Sequence, residues 1–198
     1  MNDFMRQMII EANQKNTLCL SEMDIEYILD CFKMAEISKG DFLLKEGQYC
    51  RQIVLLGKGL FMYYHLVDGE EIALDFATEG DWVSSIKSIN QGTPSEVNIK
   101  ALEDSLVYRL SIDTMKDLFD KYPKFIQIKM NEIEKSFIEM AAYNMNLNAL
   151  TVEEHYQRLL ETKNEWLIRV PQYYIASYLG IKPQSLSRIR KRISKKNP

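Results

Sequence analysis

Histidine is almost missing from this chain of 198 residues: His65 and His155 are the only two. A catalytic metal cage inside a small β-barrel needs several histidines and a carboxylate converging on one ion. The sequence therefore argues against a cupin-like metal enzyme, and no metal ligand is assigned. Cysteine is scarce too. Cys19, Cys31 and Cys50 are odd in number, widely spaced and free of any C-x-x-C pair, which argues against a disulfide framework and a zinc or iron–sulfur cage. There is no P-loop, no dinucleotide fingerprint and no Ser-His-Asp set, so no catalytic residue and no cofactor is expected. No apolar run is long enough to span a bilayer, and the start, MNDFMRQMIIEANQK, turns polar too soon for a signal peptide. These absences lead us to expect a cytoplasmic chain with no membrane partner.

Acidic residues are absent from residue 182 onward. That stretch holds Lys182, Arg188, Arg190, Lys191, Arg192, Lys195 and Lys196, seven positive charges. The net charge of the whole is −3, so the remainder carries −10. An acidic body with a basic end argues for an anionic partner at that end only.

The basic end is attached to a patterned segment, QYYIASYLGIKPQSLSRIRKR over 172–192. Ile175, Ala176 and Leu179 fall on one face of a short helix, and Gly180 allows a sharp break. Ile181, Leu186 and Ile189 then supply the apolar face of a second helix, with Pro183 where proline is preset for a helix start. Small Ala176 permits the close crossing that a helix-turn-helix requires. Gln184, Ser185, Arg188, Arg190, Lys191 and Arg192 form the polar face, which suits base edges and phosphates of double-stranded DNA. The plainer alternative is a helical hairpin with a solvated basic end.

Upstream, residues 3–33 read as two short amphipathic helices. The second starts at Ser21 with Asp24 three residues on, and is expected to bury Met23, Ile25, Ile28, Leu29 and Phe32. From about 35 to 111 short β-rich runs alternate with turn signals, the pattern of a sandwich or barrel. The runs are 42–44, 53–56, 60–66, 72–76, 97–101 and 106–110, and Asp68-Gly69 marks a tight hairpin. Ser111 caps a helix over 112–121, closed by Pro123. Ile126, Met130, Ile133, Phe137, Met140, Asn144 and Leu147 then recur at alternating spacings of four and three. Such a seam suits pairing with a second copy, the alternative being one helix packed on its own barrel. Residues 148–151 read as a hinge, and Thr151 with Glu154 as a second capping box opening a helix over 152–162, with Tyr156, Leu159 and Leu160 inward. Trp166, Leu167, Ile168 and Val170 are expected to pack it against the helix pair.

Two stretches carry a family resemblance, KGDFLLKEGQYCRQIVLLGKGLFMYYHLVDGEEIALDFATEGDWV and VPQYYIASYLGIKPQSLSRIRK. With the long helix between them, the chain resembles the cyclic-AMP receptor/fumarate–nitrate regulator (Crp/Fnr) family of bacterial transcription factors over nearly its whole length. The resemblance implies an α+β fold: a jelly-roll barrel like that of cyclic-nucleotide-binding domains, a long dimerisation helix, and an all-α winged-helix-like helix-turn-helix domain. It places the sensor barrel with its N-terminal helices at 1–122, the dimerisation helix and hinge at 123–149, and the DNA-binding domain at 150–198. It implies a homodimer on palindromic DNA, RNA polymerase as a partner, and a small-molecule effector still to be identified. Residues 194–198 leave no room for the β-hairpin wing that many relatives add.

The effector site departs from the family pattern. Cyclic-AMP binders follow the Gly-Asp turn with Gly-Glu, and some ten residues later with an arginine and a small residue. The glutamate takes the ribose hydroxyl, and the arginine pairs with the phosphate. Here Ser84-Ser85 and Ser95-Glu96 stand in those places, so cyclic AMP is not the expected effector. Lys87 or Lys100 would have to offset Glu96. The three cysteines lack the spacing of the oxygen-sensing branch, and His65 is a lone barrel histidine rather than a haem-ligand set. A sensor module acting through protein partners is the remaining alternative, and it would not require the last thirty residues.

Overall fold

The computed structural model describes residues 3–16, 18–147 and 149–196. Two helices lead, α1 (Asp3–Asn16) and α2 (Glu22–Asp30). The Ser21 hydroxyl accepts the Asp24 amide at 3.3 Å, and the Ser21 amide donates to the Asp24 carboxylate at 2.9 Å. That reciprocal pair satisfies two amides which the helix start leaves open. Ile25, Ile28 and Leu29 are buried as the spacing requires, but Met23 is exposed. It lies two residues before Ile25, more than half a turn away from the apolar stripe.

Eight strands follow: β1 (Lys33–Ile37), β2 (Phe42–Leu44), β3 (Gln52–Lys58), β4 (Phe61–Val67), β5 (Glu70–Ala77), β6 (Trp82–Val83), β7 (Asn98–Ala101) and β8 (Ser105–Ser111). A short helix, α3 (Ile86–Gln91), separates β6 from β7. One antiparallel sheet runs β1-β8-β3-β6, with Leu55 opposite both Tyr108 and Trp82. Leu55, Tyr108 and Leu110 join Met5, Ile9, Ile25 and Ile28 in one core with Met115 and Leu118 of α4 (Ile112–Lys121). Val54, Leu56 and Val107 alternate with them and are fully buried, so both faces of this sheet are covered. β2 pairs with β7, and β4 with β5. The β4–β5 turn places Asp68 at φ 51° and Gly69 at φ 84°, the primed geometry whose twist matches the flanking strands.

Ser111 caps α4 through the Thr114 amide at 3.0 Å, and the Tyr122 hydroxyl after it donates to Asp24 at 2.6 Å. The long helix α5 (Lys124–Leu147) begins immediately past Pro123. Among the described residues four helices follow: α6 (Val152–Thr162), α7 (Asn164–Arg169), α8 (Gln172–Tyr178) and α9 (Pro183–Lys196). Of the hinge expected at 148–151, Asn148 lies outside the described residues. The architecture is α+β, with jelly-roll-like antiparallel strands followed by a helical C-terminal region.

Two compact units emerge. One comprises Met1–Phe61 with Ala77–Ile138, the other Met62–Phe76 with Glu139–Pro198. The β4–β5 hairpin thus groups with the C-terminal helices. No described helix is long and apolar enough to cross a membrane.

Candidate nucleic-acid interface and effector cavity

The C-terminal helices are set by local chemistry. At the start of α6, Thr151 and Glu154 form a reciprocal cap, and these bonds from Thr151 hold the Glu154 carboxyl below its usual range. Tyr156, Leu159, Trp166 and Val170 are buried, whereas Ile168 is exposed, contrary to its expected packing role. Trp166 and Val170 are four apart and share a face. Ile168 sits midway between them and must point away.

The α8–α9 turn is a Schellman motif. The Gly180 amide donates to Ser177 O and the Ile181 amide to Ala176 O, both at 2.9 Å, with Gly180 at φ 66°. Only glycine holds that left-handed position without a Cβ penalty. Ala176 is completely buried, and Ile175, Leu186 and Ile189 are buried too. Ile193, not anticipated from the sequence, extends this face because α9 continues as far as Lys196.

Gln184, Arg188 and Lys191 are exposed on the side of α9 opposite Leu186, Ile189 and Ile193. Ser187 and Lys195 belong to the same outward stripe, at spacings of three and four. Sequence reasoning did not select them, although the periodicity of the buried residues identifies both. Lys182 is exposed just before the helix, Ser185 flanks the stripe, and Arg190 is half-buried on its other flank. Arg192 is exposed but pairs with Glu153 of α6 at 2.6 Å. An amide, a guanidinium and two ammonium groups therefore share one rigid face.

On α5, Ile126, Met130, Ile133, Phe137 and Met140 are all exposed, and Ile138 and Met145 add to the apolar surface. The side chains of Asn144 and Leu147 lie outside the described residues.

In the first unit, a cavity of about 430 Å³ is lined by Leu43, Leu44, Val83 and Ile99 on its apolar side. Gln48, Tyr49, Cys50, Arg51, Gln52 and Ser84 supply the polar side. The segment beside it is turned inward on itself. Ser84, Ser85, Ser88 and Ser95 are buried. Ser88 donates to Thr93 O at 2.6 Å and accepts the Cys50 amide at 3.0 Å, while Ser95 donates to Val97 O at 2.9 Å. Glu96 forms an ion pair with Lys87, both exposed. At the positions where the family pattern has its ribose and phosphate anchors, Ser84 and Ser85 are buried, Ser95 is bonded to main chain, and Glu96 already holds the nearby lysine. His65, on β4, is half-buried. Among the described residues no three His, Cys, Asp or Glu gather as a metal site.

Residues 34–122 match the family model described as the cyclic nucleotide-binding domain. The anaerobic regulatory protein of Pasteurella multocida is 26% identical over 190 residues, 89% of this chain and 68% of that protein. Neuropathy target esterase sws of Drosophila ananassae is 26% identical over 134 residues. That match covers 62% of this chain but only 9% of the fly protein. Among solved structures, the c-di-GMP-responsive global regulator CLP of Xanthomonas campestris superposes with a TM-score of 0.70. It is 15% identical and matches over 87% of this chain and 91% of that one, a likeness of fold. Residues 34–122 thus match the cyclic nucleotide-binding domain, in a chain that shares its fold with the regulator CLP.

Proposed function

We propose that this chain is a sequence-specific DNA-binding transcription regulator of the Crp/Fnr type. It acts as a homodimer on palindromic DNA and answers to an effector other than cyclic AMP. The observation that carries the reading is the α8–α9 pair. Its turn is fixed by Gly180, its crossing by fully buried Ala176, and its outward stripe is Gln184, Arg188 and Lys191. In this reading α9 enters the major groove, with Gln184 and Arg188 on base edges. Lys182, Ser185, Arg190, Lys191 and Arg192 hold the phosphates. The relative from Pasteurella multocida, named as a regulator and matched across most of both chains, supports the same assignment.

The exposed apolar side chains of α5 support self-association through that helix, which would set two recognition helices about 34 Å apart, one turn of DNA. The inward-bonded serines and the Lys87–Glu96 pair support an effector lacking a cyclic phosphate. Selection of binding sites from random DNA by the purified protein tests the reading. A palindromic consensus is expected, and its absence would refute it. Transcript changes on deletion then show whether RNA polymerase is recruited or blocked.

A further inference from the structure

β5 lies at one end of its sheet, beside β4. Backbone groups along such an outer edge need partners. Ser177 of α8 provides one: its hydroxyl accepts the Ala73 amide at 3.0 Å and lies 3.5 Å from the Glu71 carbonyl. One turn earlier, the hydroxyl of buried Tyr174 donates to the Glu71 carboxylate. Tyr64 of β4 is hydrogen-bonded to the same carboxylate. Burial and Glu71 push the Tyr64 hydroxyl up to about 12 and raise Tyr174 as well, so both are neutral donors near neutral pH. Bonds from a hydroxyl to a carboxylate are among the stronger kind. Phe76 completes the contact, edge-on to Trp166 at 5.2 Å and 5.9 Å from Tyr178.

The hairpin belongs to the segment matched as a cyclic nucleotide-binding domain, yet it groups with the C-terminal helices. It engages α8 through Tyr174, Ser177 and Tyr178, and leaves Gln184, Arg188 and Lys191 of α9 exposed. We propose that Glu71, Tyr174 and Ser177 form a latch by which the sensor domain's own hairpin holds the helix pair in its DNA-reading position. The latch rests on the DNA-binding reading above. With it closed, the two recognition helices of a dimer keep a fixed spacing. With it open, each helix pair still binds one half-site, but the second half-site is met at a lower effective concentration.

The test uses full-length Tyr174→Phe, Glu71→Ala and Glu71→Gln. Each is titrated on the duplex that the wild type selects from random DNA, and on the same duplex with one half-site scrambled. Tyr174→Phe removes a single oxygen and keeps the packing. It and Glu71→Ala should lose about tenfold on the full site and nothing on the scrambled one. Glu71→Gln keeps an acceptor oxygen and should stay near wild type. Hydrogen exchange at the Ala73 amide should quicken in Tyr174→Phe alongside the loss. Unchanged full-site affinity in both variants would overturn the latch. Equal loss on both duplexes would overturn it too, leaving these residues as packing for the helix pair. If the wild type selects no sequence at all, the DNA-binding reading fails first and the latch falls with it.

Discussion

Arg188 and Lys191 stand on one stripe of α9, but their chemistries assign them different work. A guanidinium presents a planar fork that matches both acceptors of a guanine, whereas an ammonium is a compact charge suited to phosphate. Arg188→Ala should therefore cost about 1–3 kcal/mol and relax preference at one base pair of each half-site. Lys191→Ala should weaken binding to all sequences alike and flatten its salt dependence. Affinity titrations on the selected site, on single-base variants and at several salt concentrations separate the two. Arg192, assigned to phosphate like Lys191, pairs with Glu153 in the unbound chain and must exchange that partner for DNA. Asp24 allows a second residue-scale expectation. Hydrogen bonds from Tyr122 first, then Ser21, hold its carboxyl at about 2, below its ordinary 3.8. The folded form thus binds this proton less readily than the unfolded chain does. The stabilisation is complete above the ordinary value and is lost as pH falls toward about 2. Thermal midpoints across that window should fall less in Tyr122→Phe than in the wild type.

Among the elements, α5 carries the clearest expectation. Its exposed apolar residues include Ile126, Met130, Ile133, Phe137 and Met140 from the alternating four-and-three spacing, with Phe137 at 63% exposure, beside Ile138 and Met145 outside it. Phe137→Asp or Met140→Asp would place an unpaired charge in the proposed interface. Light scattering should show the mass halve, and palindromic DNA affinity should drop. An unchanged mass would remove α5 as the dimer helix. Elements fixed by local chemistry were the legible ones. The Ser21 and Thr151 caps, the Asp68-Gly69 turn and the Gly180 break each depend on a few adjacent residues, and each is found where the sequence puts it. β1 and β6 were not anticipated. Lys33–Ile37 mixes charge into its alternation, and Trp82–Val83 is only two residues long, so neither gives a periodic signal. Ile193 was missed because the basic run around it masked the spacing that continues from Leu186 and Ile189.

At the scale of the whole molecule, the domain family matched by residues 34–122 and the residues in the ligand positions point in different directions. Calorimetry should show no saturable heat with cyclic AMP or cyclic GMP, and neither should change DNA affinity. A clear micromolar isotherm would refute the reading of Ser84-Ser85 and Ser95-Glu96. The hairpin's union with α8 was illegible in sequence for a plain reason: Glu71 and Tyr174 are 103 residues apart, and no local pattern encodes that distance. That union also bears on solubility. Lifting α8 from β5 would bare an unpaired strand edge close to exposed Leu66 and Val67. Such edges template pairing with other chains and seed aggregates. The helix pair proposed to read DNA therefore also covers an aggregation-prone strand edge, which would limit how long, and at what protein concentration, the hairpin can stand open.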